Sequence, residues 1–410
     1  MTNTVMDNTA KDNTAKDNRR ILISGASVAG PALAWWLARH GFSPTVVERA
    51  PHLRGGGYAV DFRGPAHLSV LEKMGLLDRT RERQTHLAST TYVGEDGTPK
   101  ARMPAGIFAG DVEILRGDLG QILYEATRDD TEYLFGDSII GLAQDSDGAH
   151  VTFGHAAART FDLVIGADGL HSNVRGLAFP GHQAAVHDLG LYVSIFSVPD
   201  SYGLDRAGLL YSVPGKTAAV FGTPRAGEAV AQFFFSAPDG GSIEYDYRDV
   251  RQQQEILASV FEGVGWHVPA LLRQMPAAAD FYFDSVSQVR MDRWSAGRVA
   301  LIGDAGYAAG PGGNGTGTAV VAAYVLAGEL AAAGGDHRVA FDRYERLLRP
   351  YVARGQKQAR GGRDFLAPAT AKKIRQRDRF FRMLPYLPTK GLIRYLSTRT
   401  AAAITLPGYA

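Results

Sequence analysis

Apolar and polar positions alternate along this chain in a way that predicts short strands and helices in turn. The run Ile21-Leu22-Ile23 has the length of a buried strand, and beyond Gly25 and Gly30 the apolar positions over 31–39 recur at helical spacing. Gly41 is a helix stop, and 45–49 is a second short β-rich run that ends on Glu48 and Arg49. Leu68, Leu71 and Met74 again follow helical spacing, 90–104 reads as a hairpin about Glu95-Asp96-Gly97, and 138–164 alternates about a turn at 145–148. Between them, 113–119 ends a β-rich run and opens a helix at Arg116. From about 183 to 290 the runs 191–196, 209–211, 218–221 and 230–235, parted by Pro and Gly, predict an antiparallel sheet interrupted by a helix at 249–263. A hydrophobic strand then ends at Gly303-Asp304, a Pro/Gly loop follows, and the apolar stretch 319–330 reads as a buried helix, too short for a bilayer and carrying Glu329. Basic helical patterns occupy 341–360 and 371–410, the second with Phe380, Phe381, Tyr386 and Tyr395, and packing against the body is its expected role.

This order predicts an α/β protein in which a nucleotide-binding domain is split by a β-sheet insertion. Expected boundaries are a disordered tail at 1–18, a nucleotide domain at 19–182 with inserted hairpins, a substrate-binding sheet at 183–290, a second nucleotide segment at 291–350 and a helical region at 351–410. Composition changes little in that picture: 45% hydrophobic and 21% charged residues in 410 are ordinary for a globular protein. A net charge of +2 argues against broad nucleic-acid binding. With no cysteine, the chain has no disulfides, iron–sulfur clusters or cysteine nucleophiles, which fits a cytoplasmic location. The tail repeats Asp-Asn-Thr-Ala-Lys and has no apolar signal core. Neither a membrane span, a metal site nor a catalytic triad is expected.

Candidate chemistry gathers at three strand ends. Gly25, Ala26, Ser27, Val28, Ala29 and Gly30 join strand to helix as in a dinucleotide-binding βαβ unit, where glycines allow the turn and helix N–H groups receive a pyrophosphate. Glu48 lies 18 residues beyond Gly30, where a carboxylate accepts from the adenosine ribose, and Ser27 replaces the middle glycine. The second strand end is Gly166-Ala167-Asp168-Gly169, followed by Ser172 and Arg175; Asp168 contacts a ligand there or, with Ser172, caps a helix. The third is Gly303-Asp304 with Pro311, Gly313, Asn314, Gly315 and Thr316, whose N–H groups and helix dipole suit partial negative charge. Arg116 reaches a phosphate or ribityl chain, or is simply an exposed cation. The glycine-rich loop carrying Arg54, Asp61 and Arg63 is either a mobile loop beside a cofactor, where these three contact a polar group of the substrate or the nicotinamide nucleotide, or an ordinary surface loop. Tyr211, Phe221 and Phe234 line an apolar substrate pocket or fill core.

Taken together and in this order, the three motifs resemble the single-component (group A) FAD-dependent aromatic hydroxylases, which include tetracycline-inactivating and polyketide-tailoring monooxygenases. The resemblance spans about residues 20–350. It implies a Rossmann-like FAD domain of the GR2 type, permanently bound FAD, NADPH or NADH as transient co-substrate, O2, and transfer of oxygen from a flavin C4a-hydroperoxide to an aromatic or polyketide-like small molecule by a monomer or homodimer. By position it assigns Gly25, Ser27 and Gly30 to the pyrophosphate, Glu48 to the ribose, Arg49 and Arg116 to FAD, Asp168 to FAD and the nicotinamide nucleotide, Asp304 to the ribityl or pyrophosphate region, and Gly313 to Thr316 to the isoalloxazine. Tyr307 departs from the usual histidine, Gly317 from a common asparagine and Ala323 from a frequent aspartate. A Baeyer–Villiger oxygenase on a polycyclic ketone and a non-oxygenating flavoprotein are the alternatives; no catalytic base is assigned.

Overall fold

The computed structural model describes residues 19–104, 110–237, 240–312, 314–359, 361–386 and 403–409. The expected tail at 1–18, Gly313 and Tyr395 lie outside them. The organising element is a six-stranded sheet in the order Ser295–Ala296, Val299–Leu301, Leu163–Gly166, Arg20–Ser24, Ser43–Glu48 and Glu132–Phe135. All its pairings are parallel except the short edge pair of Ser295–Ala296 with Val299–Leu301. Ser24 is in register with Val47 on one side and Gly166 on the other. Parallel pairing therefore brings the carboxyl ends of distant segments to one edge of the sheet, where open α/β folds bind ligands.

One face of this sheet carries the helix Ala29–Arg39, which packs on the long helix Gly315–Ala332, itself covered by His337–Ala359. The long helix is apolar on every side, because it is enclosed: Val320 to Leu330 are all buried. By length and composition it could cross a membrane, but 78% of it is buried inside the protein, as expected for a core helix. The other face of the sheet packs Leu22, Val164 and Leu301 against Val151, Phe153 and Phe161 of a three-stranded sheet and against Val174.

A seven-stranded sheet runs in the order Tyr282–Val289, Val186–Pro199, Glu228–Phe235, Lys216–Gly222, Ala207–Val213, Ser89–Val93 and Pro99–Pro104. The antiparallel character expected for 183–290 is present. The hairpin expected at 90–104 also joins this sheet, through parallel pairing of Ser89–Val93 with Ala207–Val213, which its local pattern could not reveal. Strand alternation gives the sheet two unlike faces. Tyr192, Phe196, Phe233 and Phe235 pack on Leu257, Phe261, Val268 and Leu271 from two helices, whereas Tyr92, Leu210 and Ala219 on the opposite face pack on Phe381 and Leu384. Of the helical region expected at 371–410, Ala371–Met383 is a helix, and 403–409 is an irregular strap on the long helix. There Tyr324 donates to the Pro407 carbonyl at 2.6 Å and Tyr409 to Glu329 at 2.8 Å.

Candidate functional site

Gly25 adopts a φ of +110°, and a Cβ there would lie 2.5 Å from the Ala167 carbonyl oxygen. A Cβ on Gly30 would lie 1.9 Å from the Gly25 carbonyl. Both glycines are therefore required by close backbone approach, and the first motif is in contact with the second. The helix Ala29–Arg39 starts at this turn with no side-chain cap among the described residues, so its first N–H groups face the sheet edge. Glu48 lies beside the turn: its Oε2 accepts from the Ala26 N–H and its Oε1 from the Ala50 N–H, both at 2.9 Å. Each oxygen keeps a further lone pair for another donor. Ser27 is half-buried, and Val28 and Ala29 are buried.

Asp168 follows Leu163–Gly166 and accepts from Ser24 Oγ at 3.3 Å, from Ser172 Oγ and from the Val174 N–H at 3.2 Å. Burial pushes its carboxyl up against those bonds. Ser172 caps the helix Asn173–Ala178 by accepting from the Arg175 N–H, so the capping alternative describes part of what this motif does. Arg175, 3% exposed, donates to the carbonyls of Leu170 at 2.5 Å and Ala305 at 2.8 Å. The second motif is thereby tied to the third.

Gly303, at a φ of +64°, closes the circle, since a Cβ on it would meet Ala29 at 3.3 Å. Asp304 starts the short helix Asp304–Tyr307, and its carboxyl is raised by burial and by Asp284, with Arg116 opposing. Gly315 starts the long helix so close by that a Cβ on it would lie 3.7 Å from Asp304 Oδ1. Asn314 precedes it at a φ of +57°, caps nothing with its side chain, and has a buried Nδ2 without a hydrogen-bond partner among the described residues. Thr316 is half-buried, and Pro311 abuts Gly362 while the Gly312 carbonyl accepts from Gln358.

Arg116 opens the helix Arg116–Glu125, with its N–H on the Tyr58 carbonyl at 3.0 Å. Its guanidinium lies 6.0 Å from the Tyr58 ring, feels the charges of Asp304 and Glu48, and makes no hydrogen bond or ion pair among the described residues. A half-buried cation in that state lacks a partner of its own. Arg49 is exposed, 5.8 Å from the Tyr247 ring.

The glycine-rich loop is pinned. Gly56 accepts from the Gly117 N–H at 3.0 Å and stands so close to Asp280 that a Cβ would lie 2.3 Å from Oδ2. Asp61 and Arg63 form an ion pair with each other, through Nε at 2.6 Å, and Arg54 is exposed. Among the three aromatics, Phe221 and Phe234 lie on the sheet face that meets Phe381, because their neighbours Val220, Phe233 and Phe235 take the other. Tyr211 does not join them: it packs at 5.9 Å on Trp266, on the opposite face, so strand alternation removes it from a shared pocket.

Sequence reading missed a polar knot between the two sheets. Asp284, 6% exposed, accepts from Tyr245 at 2.6 Å, pairs with His171 Nε2 at 3.0 Å, and takes a longer bond from Tyr282 at 3.3 Å. The only sequence signal was an acid inside a strand-like run. Among the departures, Tyr307 points into core, its ring 4.4 Å from that of Trp294 at a tilt of 45° and its hydroxyl 2.8 Å from the Tyr344 hydroxyl, and Ala323 is fully buried. Gly317 is filled from outside, since a Cβ there would lie 2.2 Å from the His67 ring.

A family model described as an FAD binding domain matches residues 18–359. An uncharacterized protein of Mycobacterium tuberculosis is 46% identical over 345 residues, covering 82% of this chain and 92% of its own length. A flavin-dependent monooxygenase of Legionella longbeachae is 38% identical over 343 residues, covering 82% and 87%. The crystal structure of the tetracycline destructase Tet(51) is similar with a TM-score of 0.84 at 34% identity, over 95% of this chain and 99% of that one.

Proposed function

The chain belongs to the FAD-binding family of single-component flavin-dependent monooxygenases, and from that premise we propose that its three joined strand ends form one cradle for FAD. The observation that carries this reading is a convergence of donors without acceptors among the described residues: the buried Asn314 carboxamide nitrogen, the uncapped, half-buried start of Gly315–Ala332, and the half-buried Arg116 guanidinium. Buried donors are costly when unmet, so their convergence suits a bound anionic group.

In this assignment Gly25, Gly30 and the start of Ala29–Arg39 receive the pyrophosphate, with Ser27 small enough to admit it, and Glu48 accepts from the adenosine ribose. Arg116 neutralises phosphate or braces the ribityl chain. Asp304 accepts from ribityl hydroxyls, donors that would stabilise the carboxylate which burial and Asp284 disfavour. Asn314, Gly315 and Thr316 hold the electron-rich edge of the ring. Asp168 acts on the cofactor indirectly, by fixing Ser24 and the second motif, and Arg49 meets the nucleotide from the solvent side. When bound, FAD supplies the redox chemistry that activates O2 at the expense of NADPH or NADH. The protein excludes water and presents the substrate from the sheet face bearing Phe221 and Phe234. An aromatic or polyketide-like small molecule is the expected substrate class, and the likeness to a tetracycline destructase favours a polycyclic one. We further place the protein in the cytoplasm as a monomer or homodimer.

A panel of phenolic and polyketide compounds tests the reading. NADPH or NADH oxidation stimulated by a substrate, with an oxygen atom of labelled O2 in the product, is expected. Stimulated oxidation with no label in any product would reduce the protein to a non-oxygenating flavoprotein.

A further inference from the structure

The loop at 308–312, which leads toward the Asn314–Thr316 donors, is built from residues that cannot brace it themselves. Gly310 and Gly312 stand at φ values of +84° and +75°, conformations that glycine takes readily, and they bring no side chain. Three carboxamides hold its carbonyls from outside. Gln288, near the end of the strand Tyr282–Val289 and fully buried, donates from Nε2 to the Ala309 carbonyl at 2.7 Å and to the Gln356 carbonyl of His337–Ala359, also at 2.7 Å. Gln356 Nε2 donates to the Ala308 carbonyl at 3.2 Å and to the Val289 carbonyl at 2.7 Å, and Gln358 Nε2 donates to the Gly312 carbonyl at 2.9 Å. The Val289 N–H adds a bond to the Ala308 carbonyl at 3.1 Å.

The Gln288 carboxamide has one orientation open to it. Its oxygen accepts from Arg290 through Nε, at 3.1 Å, and through Nη2, while its nitrogen faces two carbonyls. Turned over, it would set an acceptor against two acceptors and donors against a cation. The guanidinium bonds also polarise the amide and strengthen the N–H donors on its far side. Gln288 belongs to the second sheet, in register with His187, so the strand that carries Asp284 also braces the loop at the end of the first sheet.

We propose that Gln288 is a positioning residue for the flavin ring: by holding the Ala309 carbonyl, with Gln356 and Gln358 on the carbonyls of Ala308 and Gly312, it fixes the loop that sets the Asn314–Thr316 donors. The inference rests on the FAD assignment above. Donors held at the ring edge stabilise the more negative, reduced form, so loosening the loop weakens FAD and lowers the flavin midpoint potential. The turn at Gly25–Gly30 and Glu48 touches none of these carboxamides, so the hold on the adenosine half is unaffected.

The test uses the full-length protein and compares FAD, which reaches the loop, with ADP, which on the same assignment occupies only the turn and Glu48. Gln288→Met keeps the length of the side chain and removes its carboxamide. It is expected to weaken FAD by about tenfold, the upper worth of one ordinary hydrogen bond, to lower the midpoint potential, and to leave the ADP dissociation constant unchanged. Gln288→Glu keeps the shape but sets oxygens against two carbonyls, so it should do no better than Met. Gln358→Met removes a brace at an exposed position, where folding is not at stake, and should weaken FAD by about threefold with ADP again unchanged. Unchanged FAD affinity and potential in both Gln288→Met and Gln358→Met, wild-type FAD affinity in Gln288→Glu, or ADP weakened as much as FAD in Gln288→Met would each overturn the inference while leaving the cofactor assignment intact. A wild-type chain that neither carries nor takes up FAD would overturn both.

Discussion

Single residues in this protein are constrained by contact distances that leave little room. Gly30 is the sharpest case, because a Cβ there meets a carbonyl oxygen at 1.9 Å and the helix would have to leave the strand. Gly30→Val is therefore expected to abolish FAD retention, checked by flavin released on denaturation. His67 makes a prediction about acid. Its pKa is lowered to about 3 in the folded protein, below the ordinary value of 6.5, so the unfolded chain binds more protons between those two values. Its contribution is fully present above 6.5 and is lost as pH falls from there, at up to about 1.4 kcal/mol per pH unit. Urea unfolding at successive pH values should show that slope in the wild type and a shallower one in His67→Gln. Gly25, Gly30 and Glu48 were legible in the sequence because motif spacing encodes local geometry. His67, Asp284 and the far-side position of Tyr211 were not, since each depends on a partner more than fifty residues away or on strand phase within a sheet not yet assembled.

At the scale of elements, the three motifs belong to separate segments, and their mutual contacts make them one site. Arg175 is the clearest tie, joining the helix Asn173–Ala178 to the Ala305 carbonyl. Arg175→Met should leave the Ala305 and Leu170 carbonyls unmet and cost about 3 kcal/mol of stability, with weaker FAD binding, measured by thermal unfolding and flavin titration. The strap at 403–409 seats the Tyr409 ring over Gly328, where an added Cβ would lie 2.1 Å from it. Gly328→Val is expected to release the strap, read as faster proteolysis near residue 403 with FAD still bound. The sequence predicted the helix at 319–330 and the strands ending at Ser24, Glu48, Gly166 and Leu301, since each is apolar and uninterrupted, but it missed the edge strand Glu132–Phe135, none of whose residues is buried. It missed the hairpin 90–104 as part of the second sheet because pairing with Ala207–Val213 is a parallel contact across more than a hundred residues.

In the molecule as a whole, a parallel sheet gathers three loops at one edge, and a second sheet faces that edge with an aromatic-bearing surface. In the proposed assignment this edge presents N–H groups, an arginine and a carboxamide toward FAD, and the protein should be more stable with that ligand than without it. Free FAD at about a hundred times its dissociation constant should add about 2.7 kcal/mol to unfolding. The central claim is that FAD lies across all three motifs, and the most direct measurement is flavin content per chain after purification, for the wild type beside Gly30→Val and Asn314→Ala. The account predicts stoichiometric flavin in the wild type, none in Gly30→Val and reduced, weakly held flavin in Asn314→Ala. Full occupancy in both variants would contradict it.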